Sequence, residues 1–81
     1  MNITAELSLY PLDADYATLI KAYIAELNRY ESLEVRTHAL STELFGEYSA
    51  VMDAVHAATR KVFEQDPAAV LVAKYLNRDR R

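Results

Sequence analysis

Near the start of the chain, polar residues share one side of an apolar stretch. In NITAELSLY, residues 2–10, Glu6, Ser8 and Tyr10 take the parity opposite to Ile3, Ala5, Leu7 and Leu9. A second polar group, Thr37, Ser41 and Thr42, stands in THALST, and Phe45 follows it. A carboxylate, several hydroxyls and an aromatic ring suit a small flat heterocycle: the ring stacks, and the polar atoms read its edge. The plainer alternative is that Glu6 and Ser8 face water or pair across a subunit interface, as most polar strand residues do.

Other chemistry finds less support. The chain has 2 histidines and no cysteine. His38 and His56 lack a ligand spacing, and thiolates are absent, so no metal or cofactor site is expected. A general acid/base pair can be drawn between His38 and Glu6, but nothing marks a nucleophile or a third, orienting group. Tyr16, Tyr23 and Tyr30 recur every seven residues. That spacing fits rings packed between helix and sheet with their hydroxyls near the rim. A functional reading has one of these rings capping a pocket.

The elements that must position these residues follow from periodicity. Residues 2–10 alternate and read as a strand that Pro11 ends, since proline has no N–H for a ladder. Asp13 or Asp15 offers a helix cap. Tyr16, Leu19, Ile20, Tyr23, Ile24, Leu27 and Tyr30 then fall on one helical face, a helix of about four turns. Residues 33–40 alternate again, a Ser41–Thr42 turn follows, and a short strand fits 42–45. Gly46 is expected to allow a sharp exit. Tyr48, Val51, Met52, Val55, Ala58 and Val62 keep helical phase until about Glu64, where Gln65–Asp66–Pro67 stops the helix. Residues 68–76 form the last strand.

The order β-α-β-β-α-β predicts an α+β, ferredoxin-like sandwich: a four-stranded antiparallel sheet, strand order 4-1-3-2, with both helices on one face. Strands 1 and 3 are then neighbours, which lets Glu6 and Ser8 converge with the hairpin hydroxyls. Leu7, Leu19, Val55 and Val72 are expected in the core.

The chain has 81 residues, which reads as one domain over 1–81, and 52% of them are hydrophobic. That is rich for a small domain, which buries a modest share of its surface. The last strand, at a sheet edge, is apolar on both faces, an aggregation liability unless covered. A second subunit over the open face, the edge or both is therefore expected. The net charge is −3. With no basic surface and no aromatics exposed on the central strands, RNA recognition on this topology is not expected. The first residues show neither a signal peptide nor a membrane span, so a cytoplasmic protein is expected.

Taken together, AELSLYPL, THALSTELFGEY and VLVAKYLNRDRR resemble the YkoF-like thiamine/hydroxymethylpyrimidine-binding family, over nearly the whole chain. SLYP at the end of strand 1 is the most telling piece. Ser41 and Thr42 with Gly46 behind them are the second, and Lys74 with the charged tail is the third. The resemblance implies a ferredoxin-like binding protein that is not an enzyme, with thiamine or its pyrimidine half as ligand. It places ligand contacts on Ser8, Tyr10, Ser41 and Thr42. Glu6 matches single-repeat relatives better than two-repeat ones. Two-repeat members carry two such units in one chain, so this chain would rebuild the pair as a homodimer or a tetramer. On this reading Glu6 accepts from the ligand's exocyclic amine, Ser8, Ser41 or Thr42 supply the complementary donors, with Thr37 beside them in the site, and Tyr10 or Phe45 stacks on the ring. Two rival readings are a small enzyme on a dimeric scaffold using Glu6 and His38, and a pure protein-interaction module. The apolar last strand predicts at least a dimer at micromolar concentration; sedimentation at the 9.2 kDa of one chain would contradict it.

Overall fold

Strand β1, Asn2–Tyr10, lies in the middle of the sheet, and its alternation sorts the two faces. The structure, a computed structural model, describes residues 1–12 and 15–81. The remaining elements are α1 (Tyr16–Leu27), β2 (Glu34–Thr37), β3 (Thr42–Glu47), α2 (Tyr48–Gln65) and β4 (Val70–Leu76). They form one antiparallel sheet in the order β2-β3-β1-β4, the expected ferredoxin-like arrangement. Ile3, Ala5, Leu7 and Leu9 are buried with Leu19, Tyr23 and Leu27 of α1, Leu44 of β3 and Val51, Ala54, Val55, Ala58 and Val62 of α2. Two apolar helix stripes thus close over one sheet face, where most of the stabilisation from apolar burial arises.

Several expectations are corrected by local hydrogen bonding. β2 stops at Thr37 because the hairpin closes there: His38 N–H donates to the Ser41 carbonyl at 2.8 Å, and the turn is Ala39–Leu40. Helix α1 ends at Leu27, before Tyr30. Asp15 stands at its N-cap position without capping a backbone N–H; its carboxylate accepts the Thr18 hydroxyl instead. Asp13, the other candidate cap, lies outside the described residues. Glu47 caps α2, accepting from Ser49 N–H at 3.1 Å. At the other end Asp66 is buried and its carboxylate accepts Ala68 N–H and, across the chain, Leu12 N–H, each at 3.0 Å. One side chain thereby ties the α2–β4 connection to the exit of β1.

Gly46 does not serve a sharp exit, for it is inside β3 and has no positive φ. Its place is set by packing: a Cβ there would meet Leu33 Cδ2, so that side chain would have to shift. Val72 is not in the core either. It is 44% exposed, on the sheet face away from the helices.

That second face is partly covered by the chain's own tail. Thr4 Oγ1 donates to the Arg78 carbonyl at 2.7 Å and accepts from Arg80 N–H at 2.8 Å. Arg81 then reaches Glu34 at 3.6 Å and lies over the Phe45 ring. Among the described residues, no helix is long and apolar enough to cross a membrane.

Leu19→Ala should cost about 2–5 kcal/mol, and Val72→Ala well under about 1 kcal/mol. Gly46→Ala should cost about 1–3 kcal/mol by overpacking, and less when Leu33→Ala makes room. Chemical unfolding of the variants checks all of these; equal losses at Leu19 and Val72 would refute the assignment of faces.

Candidate functional site

β1 outlasts its neighbour. The pairing with β3 ends at Leu7↔Thr42, whereas the pairing with β4 continues to Tyr10↔Val70. The 38–41 hairpin turn leans toward the overhang, and Ser8 Oγ donates to the Leu40 carbonyl at 3.2 Å. A cavity of about 120 Å³ remains between β1, the hairpin and α1. Leu7, Ser8 and Leu9 form one wall, Thr37 through Thr42 another, and Tyr16, Ile20, Tyr23 and Ile24 of α1 the third. Its floor is therefore apolar, and its polar groups come from the hairpin and from Ser8.

Of the residues singled out in the sequence, Ser8, Thr37, Ser41 and Thr42 line this cavity. Glu6 stands behind it on the open sheet face. Its Oε2 accepts the Ser41 hydroxyl at 3.2 Å, and its Oε1 lies 3.7 Å from Lys74 Nζ. Glu6 therefore orients a wall residue. Tyr10 is exposed on the open face and is not part of the wall. Phe45 is displaced from its expected stacking role. The ring is fully buried, with Arg36 Cζ 5.0 Å and Arg81 Cζ 5.7 Å from its centroid. Two guanidiniums occupy the space a ligand ring would need, a cation–π arrangement.

His38 does not pair with Glu6. Its Nε2 lies 2.6 Å from Glu43 Oε1, and it also lines the cavity. Glu43 faces Glu6 directly across the β1–β3 ladder. Like charges so placed repel, and each is met by its own cation: Glu43 by His38 when protonated, and Glu6 by Lys74.

Of the α1 wall the sequence offered only a tyrosine ring as a cap; Ile20 and Ile24 look like ordinary core. Tyr16 is 61% exposed, at the mouth, where a ring can meet a ligand. The signal was the seven-residue interval between Tyr16 and Tyr23, which places both on one helical face. Tyr23 is buried, and its hydroxyl pairs with Thr59 Oγ1 at 3.0 Å. Burial pushes its phenol up to about 12 against the pull of the Thr59 hydrogen bond, with Tyr75 adding to the rise. Among the described residues, no group of three His, Asp or Glu side chains could hold a metal ion.

The YKOF-related family matches residues 2–75. No curated protein matches the chain. Among solved structures, a hypothetical protein from Methanocaldococcus jannascii is 27% identical with a TM-score of 0.84, covering 99% of this chain and 84% of that one. A candidate thiamine biosynthesis/salvage protein from Thermotoga maritima is 18% identical with a TM-score of 0.85, covering 96% of this chain and 85% of its own. A domain of unknown function from Bacillus cereus, 18% identical with a TM-score of 0.83, covers 99% and 79% respectively. The last two likenesses concern the fold.

The folded chain holds the Tyr23 proton more tightly than the unfolded chain, whose phenol has the ordinary value of 10.0. Its contribution to stability is then fully present below about pH 10 and lost as pH rises toward about 12. At neutral pH Tyr23→Phe should cost about 0.5–1.5 kcal/mol for the lost hydrogen bond. Urea unfolding of both proteins, repeated in alkaline buffer, should show that gap narrowing. A gap that widens with pH would contradict the sign.

Proposed function

The chain belongs to the YKOF-related family, and from that premise we propose that it binds thiamine or its hydroxymethylpyrimidine moiety without turning it over, as a carrier or sensor. The match over residues 2–75 carries this reading. The fold likeness to a candidate thiamine biosynthesis/salvage protein from Thermotoga maritima agrees with it. The protein acts on this reading in the cytoplasm as a homo-oligomer, with no nucleic-acid partner.

The cavity supports the pyrimidine half in particular. About 120 Å³ is small beside the roughly 300–1,000 Å³ of pockets that enclose drug-sized ligands. One ring enters, and the remainder of a larger molecule extends through the mouth past Tyr16. An aminopyrimidine carries an amine that donates and ring nitrogens that accept. Ser8, Thr37, Ser41 and Thr42 offer hydroxyls of either sense. Ser41 donates to Glu6, which leaves its oxygen free to accept from the ligand amine. Glu6 acts through Ser41, or directly once that hydroxyl rotates.

One observation favours a second reading, a small enzyme. His38 stands in the cavity wall with Glu43 at 2.6 Å, a geometry suited to a general acid/base pair. Turnover of a bound pyrimidine that disappears in His38→Ala would establish it.

Removing a hydroxyl or its partner leaves a ligand group unpaired in a dry site. Glu6→Gln and the double change Ser41→Ala, Thr42→Ala should each weaken thiamine binding by about ten- to a hundredfold. Glu6→Gln should stay folded, since it relieves the repulsion with Glu43. His38→Ala should matter less for binding. Calorimetry on folded variants decides: unchanged binding in both places the pocket elsewhere, and no binding by the parent protein removes the ligand.

A further inference from the structure

The cavity between β1, the hairpin and α1 is too small for a two-ring ligand. At about 120 Å³ it takes one ring, and a substituent on that ring has to leave through the mouth. The exposed lining residues show where the mouth lies. On the α1 wall Ile20, Tyr23 and Ile24 are buried or half-buried and Tyr16 alone is exposed. On the other wall the hairpin tip is exposed, with Leu40 at 89%. An aromatic and an aliphatic side chain are thus left in water at the rim of one opening. Such a rim suits a ligand group that covers them.

We propose that this rim is a subsite for a cationic aromatic ring, such as the thiazolium half of thiamine, and that Tyr16 is the residue that selects its charge. The inference rests on the reading that the pyrimidine half fills the cavity, and it specifies what the rest of the ligand carries.

The charges near the mouth favour a cation over an anion. Among the described residues, none that lines the cavity is Lys or Arg. Asp15, next to Tyr16 in the chain, is exposed and has no ion-pair partner among the described residues. Its carboxylate accepts the Thr18 hydroxyl and caps no backbone N–H of α1. Tyr16 opens that helix, and a helix N-terminus carries roughly half a positive charge. The full negative charge of Asp15 outweighs it, so a phosphoryl tail gains nothing at this end of α1. His38, in the hairpin wall, is the one cation that can form among the lining residues, and Glu43 stands against it at 2.6 Å.

Tyr16 adds selection by its ring. The face of a phenol ring is the negative pole of its quadrupole, and it attracts a delocalised cation more than a neutral ring of the same shape. At a site as exposed as this one the attraction is worth about two- to fivefold in affinity. Apolar contact with Tyr16 and Leu40 is the same for both rings, so the ratio of the two affinities isolates the charge.

Calorimetry with three probes tests this: thiamine, a neutral isostere with carbon in place of its quaternary nitrogen, and hydroxymethylpyrimidine. The wild type should prefer thiamine to the isostere by about two- to fivefold. Tyr16→Leu should bring that ratio to about one, and Tyr16→Phe, which keeps a ring face, should retain it. Both variants should bind hydroxymethylpyrimidine within about twofold of the wild type, since that probe ends at the mouth. Circular dichroism checks that these exposed-site variants fold. A wild-type ratio near one overturns the subsite, as does thiamine diphosphate binding more tightly than thiamine. Equal losses for thiamine and hydroxymethylpyrimidine in Tyr16→Leu overturn it too, by making Tyr16 part of the inner site. In all three cases binding of hydroxymethylpyrimidine leaves the pyrimidine reading standing. If the wild type binds none of the probes, that reading falls and the subsite falls with it.

Discussion

Everything in this fold depends on the two ladders of β1. As a central strand it holds β3 on one side and β4 on the other, with registers that differ in extent. Alternation forces Ile3, Ala5, Leu7 and Leu9 under the helices, and a slip of one residue would expose all four. The same constraint presents Thr4, Glu6, Ser8 and Tyr10 on the other face. The overhang beyond Leu7↔Thr42 opens the cavity, because the hairpin has already turned where β1 continues. The cavity thus arises from unequal strand lengths, with no inserted loop.

The open face is organised in rows by that register. Arg36, Glu43, Glu6 and Lys74 lie side by side across the four strands, two carboxylates between two cations. Surface pairs of this kind contribute about 0–1 kcal/mol each, too little to hold a sheet. Their effect is on position: Glu6 is anchored well enough to hold Ser41 at the cavity rim. The neighbouring row holds Glu34, Phe45, Thr4 and Leu76, and the tail crosses it. Phe45 and Thr4 are both buried there although no helix covers that side. Much of the cover expected from another subunit on this row is supplied by residues 78–81 of the chain itself.

Cover is thus divided between two sources. The helices shield one side of β1 and β3, the tail shields the row of Thr4 and Phe45 on the other, and most of β4 is left exposed. The unprotected strand is also the most uniformly apolar one. Natural sheets avoid a free edge of this composition.

How much was legible in the sequence follows from the range of each interaction. Period-2 and period-3.6 patterns report local geometry, so the six elements, their order and the composition of the helix-side core could be read from residue types alone. The grouping of Ser8, Thr37, Ser41 and Thr42 was legible too, since neighbouring strands 1 and 3 follow from the element order. Glu6 could be placed beside them but not given its partners. What the sequence could not show depended on contacts between distant residues. Alternation says that Phe45 leaves the core face; only the folded tail shows that two arginines cover it. Gly46 looks like a turn residue until Leu33 is seen against it. The α1 wall of the cavity, the pairing of His38 with Glu43 and the exposure of Val72 were decided by tertiary structure. In each case the deciding atoms belong to segments that approach only after the sheet has closed.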